Sequence, residues 1–226
     1  MQSWAGVLAG AVLFASSCDA FNVVTAPLHA RTATAKLDAV RAQLRPSPAE
    51  RRGALGLQAG VYGVIDYKHS KRPEKPEATK CACGSGMPYS KCCEEWHDRG
   101  EAVDPLILIK SRYSAFAYRL PEYIIATTQK NGPEWMSNQE VWETELLEFM
   151  DTYEMTSDSR RLGCIVEACK YDGEKEASVL FKALMRNKEE SANALVEIWE
   201  KSSVVREGNY WVYKRGSLQE YAGPLA

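Results

Sequence analysis

Cys81-Ala82-Cys83-Gly84-Ser85-Gly86-Met87-Pro88-Tyr89-Ser90-Lys91-Cys92-Cys93 holds four of the chain's seven cysteines, as C-x-C, eight residues, then C-C. Thiolates in that pattern suit a soft divalent ion such as zinc, which takes four sulfurs in a closed tetrahedron. Gly84, Gly86 and Pro88 lie between the pairs, and glycine supplies the backbone angles that turn the second pair back on the first. A disulfide inside either pair is disfavoured, because the ring it closes is strained. Disulfides across the pairs remain open in an oxidising compartment. His97 is a reserve ligand in place of Cys93, set against the commoner case of a surface histidine. Lys80 and Lys91 flank the cluster, where their charge offsets that of the thiolates. Tyr89 and Trp96 either form an apolar contact patch beside the knuckle or cover the metal loop.

C-terminal to the cluster, Asp104-Pro105 is a helix start, with Leu106, Ile109, Tyr113, Phe116 and Leu120 following at helical spacing. Pro121 ends that helix or begins the next, and Tyr123, Ile124 and Ala126 fit a short second one before the breaker Asn131-Gly132-Pro133. Val141, Leu146, Phe149 and Met150 predict a third helix from near Asn138. The pattern then turns to strands: Leu162 to Cys169, Ala177 to Met185, Ala194 to Val205 and Tyr210 to Lys214, with Asp172-Gly173 as a hairpin turn. Helices followed by an antiparallel meander predict an α+β domain. Its sheet is expected to be half buried, with Val196, Ile198, Trp211 and Tyr213 alternating with polar neighbours. Cys164 and Cys169, an odd number of steps apart, are expected on opposite faces as small hydrophobes.

Lys+Arg number 28 against Asp+Glu 30 over 226 residues, which disfavours a nucleic-acid binder with a basic face. Residues 1–20 read as a signal peptide: Trp4 to Ala15 is apolar but short for a membrane span, and Cys18-Asp19-Ala20 suits a peptidase site. From Phe21 to Lys36 there is no acidic residue beyond the junction, while Arg31, Lys36, threonines and alanines accumulate as in a transit peptide. Ala20-Phe21-Asn22 resembles the junction of the bipartite presequences of algae with secondary plastids, which implies plastid delivery and only transient membrane contact. Arg51-Arg52 before a mild apolar run resembles a twin-arginine thylakoid signal. Tyr67 to Lys80 reads as a solvated linker. The organisation expected is 1–20 signal, 21–80 leader and linker, 81–100 zinc motif, 101–220 α+β domain and 221–226 tail.

Cys81 to Cys93 resembles the SEC-C motif, named for the zinc-binding tail of the translocase SecA. Asp104-Pro105, Ile109-Lys110-Ser111-Arg112-Tyr113-Ser114-Ala115-Phe116 and Tyr123-Ile124-Ile125-Ala126-Thr127 extend the likeness to the bacterial YchJ family. The resemblance implies a zinc knuckle followed by a cone-shaped nuclear-transport-factor-2-like domain, with helices in the concave side of a curved sheet. It implies Cys81, Cys83, Cys92 and Cys93 as zinc ligands. Three features depart from the family: no second SEC-C motif precedes Ala226, Thr128-Gln129-Lys130-Asn131 stands where Trp-His-Pro is common, and a long leader precedes the motif.

Two functions follow. The first is an interaction module whose structural zinc knuckle docks on a protein partner, since four thiolates leave zinc no open position for catalysis. The second is a small-molecule-binding or isomerase- or dehydratase-like cone, with Glu143, Glu167, Glu197, Tyr113 and Tyr123 as acid–base candidates. Arg112 either anchors an anion or pairs with a carboxylate at the helix surface. The α+β body is expected to carry its own core, so that metal removal loosens only Cys81 to Cys93.

Overall fold

Asp104 starts the helix around which the other elements are arranged. The computed structural model describes residues 65–155, 163–189 and 195–219. The Asp104 carboxylate accepts the Leu106 N–H at 2.8 Å, and Pro105 fills the first turn, where a missing N–H costs nothing. The helices are α1 (Glu94–Arg99), α2 (Pro105–Ala117), α3 (Pro121–Ala126) and α4 (Gln139–Thr152). Nearly every residue of α2 is buried, as expected of a helix apolar on all sides. Pro121 opens α3, and the Asn138 side chain caps α4 by accepting the Val141 N–H. Val141 itself is 46% exposed, against the expected inward position. Trp142 takes its place and forms the inner stripe with Leu146, Phe149 and Met150.

Five strands make one antiparallel sheet: β1 (Tyr153–Met155), β2 (Cys164–Tyr171), β3 (Glu176–Asn187), β4 (Leu195–Glu207) and β5 (Tyr210–Leu218). β3, β4 and β5 form a meander, while β1 and β2 lie end to end along the other edge of β3. The α+β class holds, with the helices against one face of the sheet; Tyr113 of α2 donates to the Leu184 carbonyl at 2.5 Å. β1, too short to show a pattern, adds a strand to the sequence expectation. Trp211, Val212 and Tyr213 are all buried, so this stretch does not alternate. Trp211 N–H bonds Ala102, and Tyr213 is bracketed by Thr127 and Gln129, which covers the strand's edge.

The cysteines of β2 correct another expectation. A bulge between Val166 and Ala168 resets the pleat, so Cys164 pairs with Ala183 and Cys169 with Val179. Those partners are four residues apart on β3 and both fully buried, which puts the two cysteines on one face. Cys164 is buried and Cys169 packs half-buried against the core.

The stretch expected to be a solvated linker is instead a strap. Lys71 N–H bonds the Tyr118 carbonyl, Lys68 N–H bonds Glu122, and Tyr67 donates to the His97 carbonyl. Arg72 pairs with Asp98 at 2.6 Å and stacks on the Tyr67 ring. Backbone bonds from Tyr89 to Thr79 and from Ser90 to Pro76 tie the strap to the cysteine loop. The cysteines, Tyr89 and Trp96 belong to one continuous buried cluster with α2, α3 and the sheet. The cysteine loop and the α+β body therefore share one core. The signal, transit, twin-arginine and tail readings lie outside the described residues. Among the described residues, no helix is long and apolar enough to cross a membrane.

Candidate metal centre

The cysteine loop closes by short backbone contacts. Lys80 bridges Pro88, Cys81 N–H bonds the Met87 carbonyl at 2.8 Å, and Gly84 N–H bonds the Cys81 carbonyl. Gly84 and Gly86 take φ of 81° and 75°, the left-handed region that a side chain would strain. A single 3-10 turn, Tyr89–Lys91, then delivers Cys92 and Cys93 to the start of α1.

The result is a cluster of Cys81, Cys83, Cys92 and Cys93, all buried, with their sulfurs within 4.8 Å of one another. Cys83 and Cys92 Sγ atoms are 3.5 Å apart, and Cys92 and Cys93 Sγ atoms 3.8 Å. Four sulfurs at about 2.3 Å from one ion stand about 3.8 Å apart in a tetrahedron. A disulfide would need about 2 Å, and no disulfide joins the cysteines of the described residues. Neighbouring thiols, Cys81 first, hold Cys92 well below the usual thiol range, whereas burial pushes Cys93 up. Ser85 Oγ lies 3.0 Å from Cys92 Sγ. Lys80 and Lys91 are exposed beside the loop.

His97 is neither a surface residue nor a member of the cluster. It is fully buried, with Nε2 2.9 Å from the Ser111 carbonyl and Nδ1 2.8 Å from the Tyr89 hydroxyl. A carbonyl only accepts, so Nε2 carries the proton and Nδ1 accepts from Tyr89. Burial holds His97 down at about 3, a neutral imidazole. Tyr89 and Trp96 face inward, so the apolar contact patch is not formed; they cover the metal loop.

The acid–base candidates do not converge. Glu143 pairs with His69 at 3.2 Å, Glu197 is exposed and pairs with Lys182, and Glu167 is exposed at the β2 bulge. Tyr123 is buried and donates to Ser111 Oγ, itself committed to the Ile107 carbonyl. Tyr113 is committed to Leu184. Arg112 is not at the helix surface and pairs with no carboxylate among the described residues. It is 7% exposed, and its Nη1 points at Ile124 O, Thr127 Oγ1 and Thr128 Oγ1 at 2.9, 2.9 and 3.1 Å. A cavity of about 20 Å³ adjoins it.

Glu200, which the sequence reading passed over, is the acid inside the cone. It is 3% exposed and accepts from Ser202 at 2.5 Å and Tyr213 at 3.0 Å. The parity of Val196 and Ile198, carried two steps along β4, would have found it. A Cβ on Gly216 would stand 2.4 Å from Glu200 Oε1, so that glycine leaves the space the carboxyl occupies. Burial pushes Glu200 up to about 7 from an ordinary 4.5. The folded state thus keeps a proton that the unfolded chain releases. Stability from this group is full below the unfolded value and falls as pH rises toward 7. Glu200→Gln is expected to flatten that slope and to stabilise the protein near pH 8 by up to roughly 3 kcal/mol. Urea unfolding near pH 5 and pH 8 checks it, and parallel pH profiles for both proteins would refute it.

Comparison with known proteins adds the context. Residues 104–216 match the family model described as YchJ, middle NTF2-like domain. A UPF0225 protein of Bordetella bronchiseptica is 28% identical over 152 residues, covering 66% of this chain and 98% of that protein. A UPF0225 protein of Xanthomonas campestris pv. campestris is 31% identical over 133 residues, covering 59% of this chain and 90% of that one. The solution structure of a SEC-C motif containing protein from Rhodopseudomonas palustris aligns with a TM-score of 0.50 at 24% identity, covering 63% of this chain and all of that one. That likeness speaks to the fold.

Proposed function

Because this chain belongs to the YchJ family, we propose that its cysteine loop holds a structural zinc ion and that the protein acts as a binding module for a protein partner. One observation carries the metal: four buried sulfurs, all within 4.8 Å of one another, at about the spacing a tetrahedron requires. Zinc is the ion whose chemistry a set of four thiolates favours. Such a centre holds structure together and does not activate water.

The partner surface follows from what the centre leaves outside. Tyr89 and Trp96 are used internally, so the loop presents Lys80 and Lys91 to solvent, with Lys75 on the adjoining strap. That face fits an acidic protein surface. The N-terminal reading adds a proposal of plastid delivery.

Native mass spectrometry of the purified protein is expected to show one zinc per chain, lost in Cys92→Ser. In capture from plastid extract, Lys80→Glu with Lys91→Glu is expected to keep the zinc and lose the partners that wild type retains. A metal-free wild type would overturn the zinc reading. Unchanged partners in the charge-reversed variant would overturn the docking face.

A further inference from the structure

We propose that the interior of the cone binds one small monoanion, of chloride or formate size, against Arg112, and that binding is coupled to proton uptake by Glu200. The inference stands apart from the metal centre and rests on how charge is arranged beneath α4.

Arg112 is a buried cation whose partners among the described residues are neutral: one carbonyl, two threonine hydroxyls and the Tyr213 ring, 4.4 Å from ring centroid to guanidinium. A buried charge is ordinarily met by an opposite one. Two small cavities of about 20 and 10 Å³ adjoin it, and Arg112, Phe116 and Tyr213 line both. Their walls are otherwise largely apolar, with Ile124, Trp142 and Phe181. A site of that size admits an ion of a few atoms and no ordinary metabolite.

The countercharge available inside is Glu200, which accepts from the hydroxyl of Tyr213, the ring that Arg112 stacks on. Ser202 also donates to Glu200 from β4, Cys164 of β2 is a buried thiol pushed up to about 12 by burial, and Glu134 lines the larger cavity from the loop before α4. Glu134 is the acid that competes with an entering anion. Arg112 lowers the cost of ionising Glu200, and Glu200 favours the charge on Arg112. An entering anion takes over that role at Arg112, so Glu200 is then better protonated. The interior exchanges its own carboxylate charge for that of the ligand plus a proton.

The test is calorimetric titration of the full-length, zinc-loaded protein with sodium formate, with sodium gluconate as the bulky-anion control. Two buffers of different protonation enthalpy count the protons. Close to one proton is expected to be taken up per formate near pH 8 and close to none near pH 6, with binding about tenfold tighter at the lower pH. Glu200→Gln is expected to bind formate without proton uptake and equally at both pH values. Glu134→Gln is expected to tighten binding, and Arg112→Gln to abolish it. Formate binding without proton uptake near pH 8, equal binding of gluconate, or no formate binding to wild type and Glu200→Gln alike would each overturn the proposal.

Discussion

Stripping the metal from the cysteine cluster, by chelator or by Cys92→Ser, is expected to lower the melting temperature of the whole described fold by roughly 10–15 °C. The size follows from a loss on the order of 4–5 kcal/mol, spread over a domain for which each kcal/mol is worth about 2–4 °C. The extent of the effect follows from the packing. Cys81, Cys83, Cys92 and Cys93 share one buried cluster with Leu108, Tyr123 and the inner face of β3. Tyr89, three residues before Cys92, is bonded to His97, and His97 to the backbone of α2. The strap crosses the cysteine loop, α2, α3 and α4, through Ser90–Pro76, Lys71–Tyr118, Lys68–Glu122 and His69–Glu143. A loop so tied cannot loosen without uncovering α2. Circular dichroism of helix and sheet, and tryptophan fluorescence, are expected to report one coincident transition at the lower temperature. Unchanged melting of the sheet, with hydrogen exchange faster only around residues 81–93, would show that the loop is an appendage after all.

The sequence disclosed the parts whose signals are local. The cysteine spacing, the Asp104-Pro105 helix start, the helix start near Asn138 and the Asp172-Gly173 turn each act over a few residues, and each appears where expected. What stayed hidden is decided by distant chain. Arg112 occupies an ordinary helical position, and only the ends of α3 and the Tyr213 ring make it an interior residue. Tyr67 to Lys80 has the composition of a linker because its anchors are backbone groups and single side chains, which leave no periodicity. The bulge at Glu167 has no marker such as glycine, so parity counted from Cys164 to Cys169 misleads. Glu200 was recoverable, since β4 keeps its alternation from Val196 to Val204, but a glutamate breaks the apolar series that a reader follows.

His97→Ala is expected to cost about 3–4 kcal/mol, the largest single-residue loss outside the cysteines. Two terms add. The imidazole is fully buried, so its removal opens a cavity that the neighbouring rings of Tyr118 and Tyr123 cannot fill without moving. The Tyr89 hydroxyl loses its partner where water does not reach, at about 1–3 kcal/mol for a group left unsatisfied, whereas the Ser111 carbonyl keeps the bond it accepts from the Ser114 hydroxyl. Tyr89→Phe removes one of the two bonds and no volume, so it is expected to cost only about 1 kcal/mol. In the double variant the Tyr89 penalty is already gone. Adding Tyr89→Phe to His97→Ala should therefore cost nothing further or recover part of the loss, a coupling of about 1 kcal/mol or more. Urea unfolding of the zinc-loaded proteins measures all four corners of the cycle. Simple additivity would mean that the Tyr89–His97 bond does not join the cysteine loop to α2. A cost near zero for His97→Ala would mean that the loop reaches its place without it.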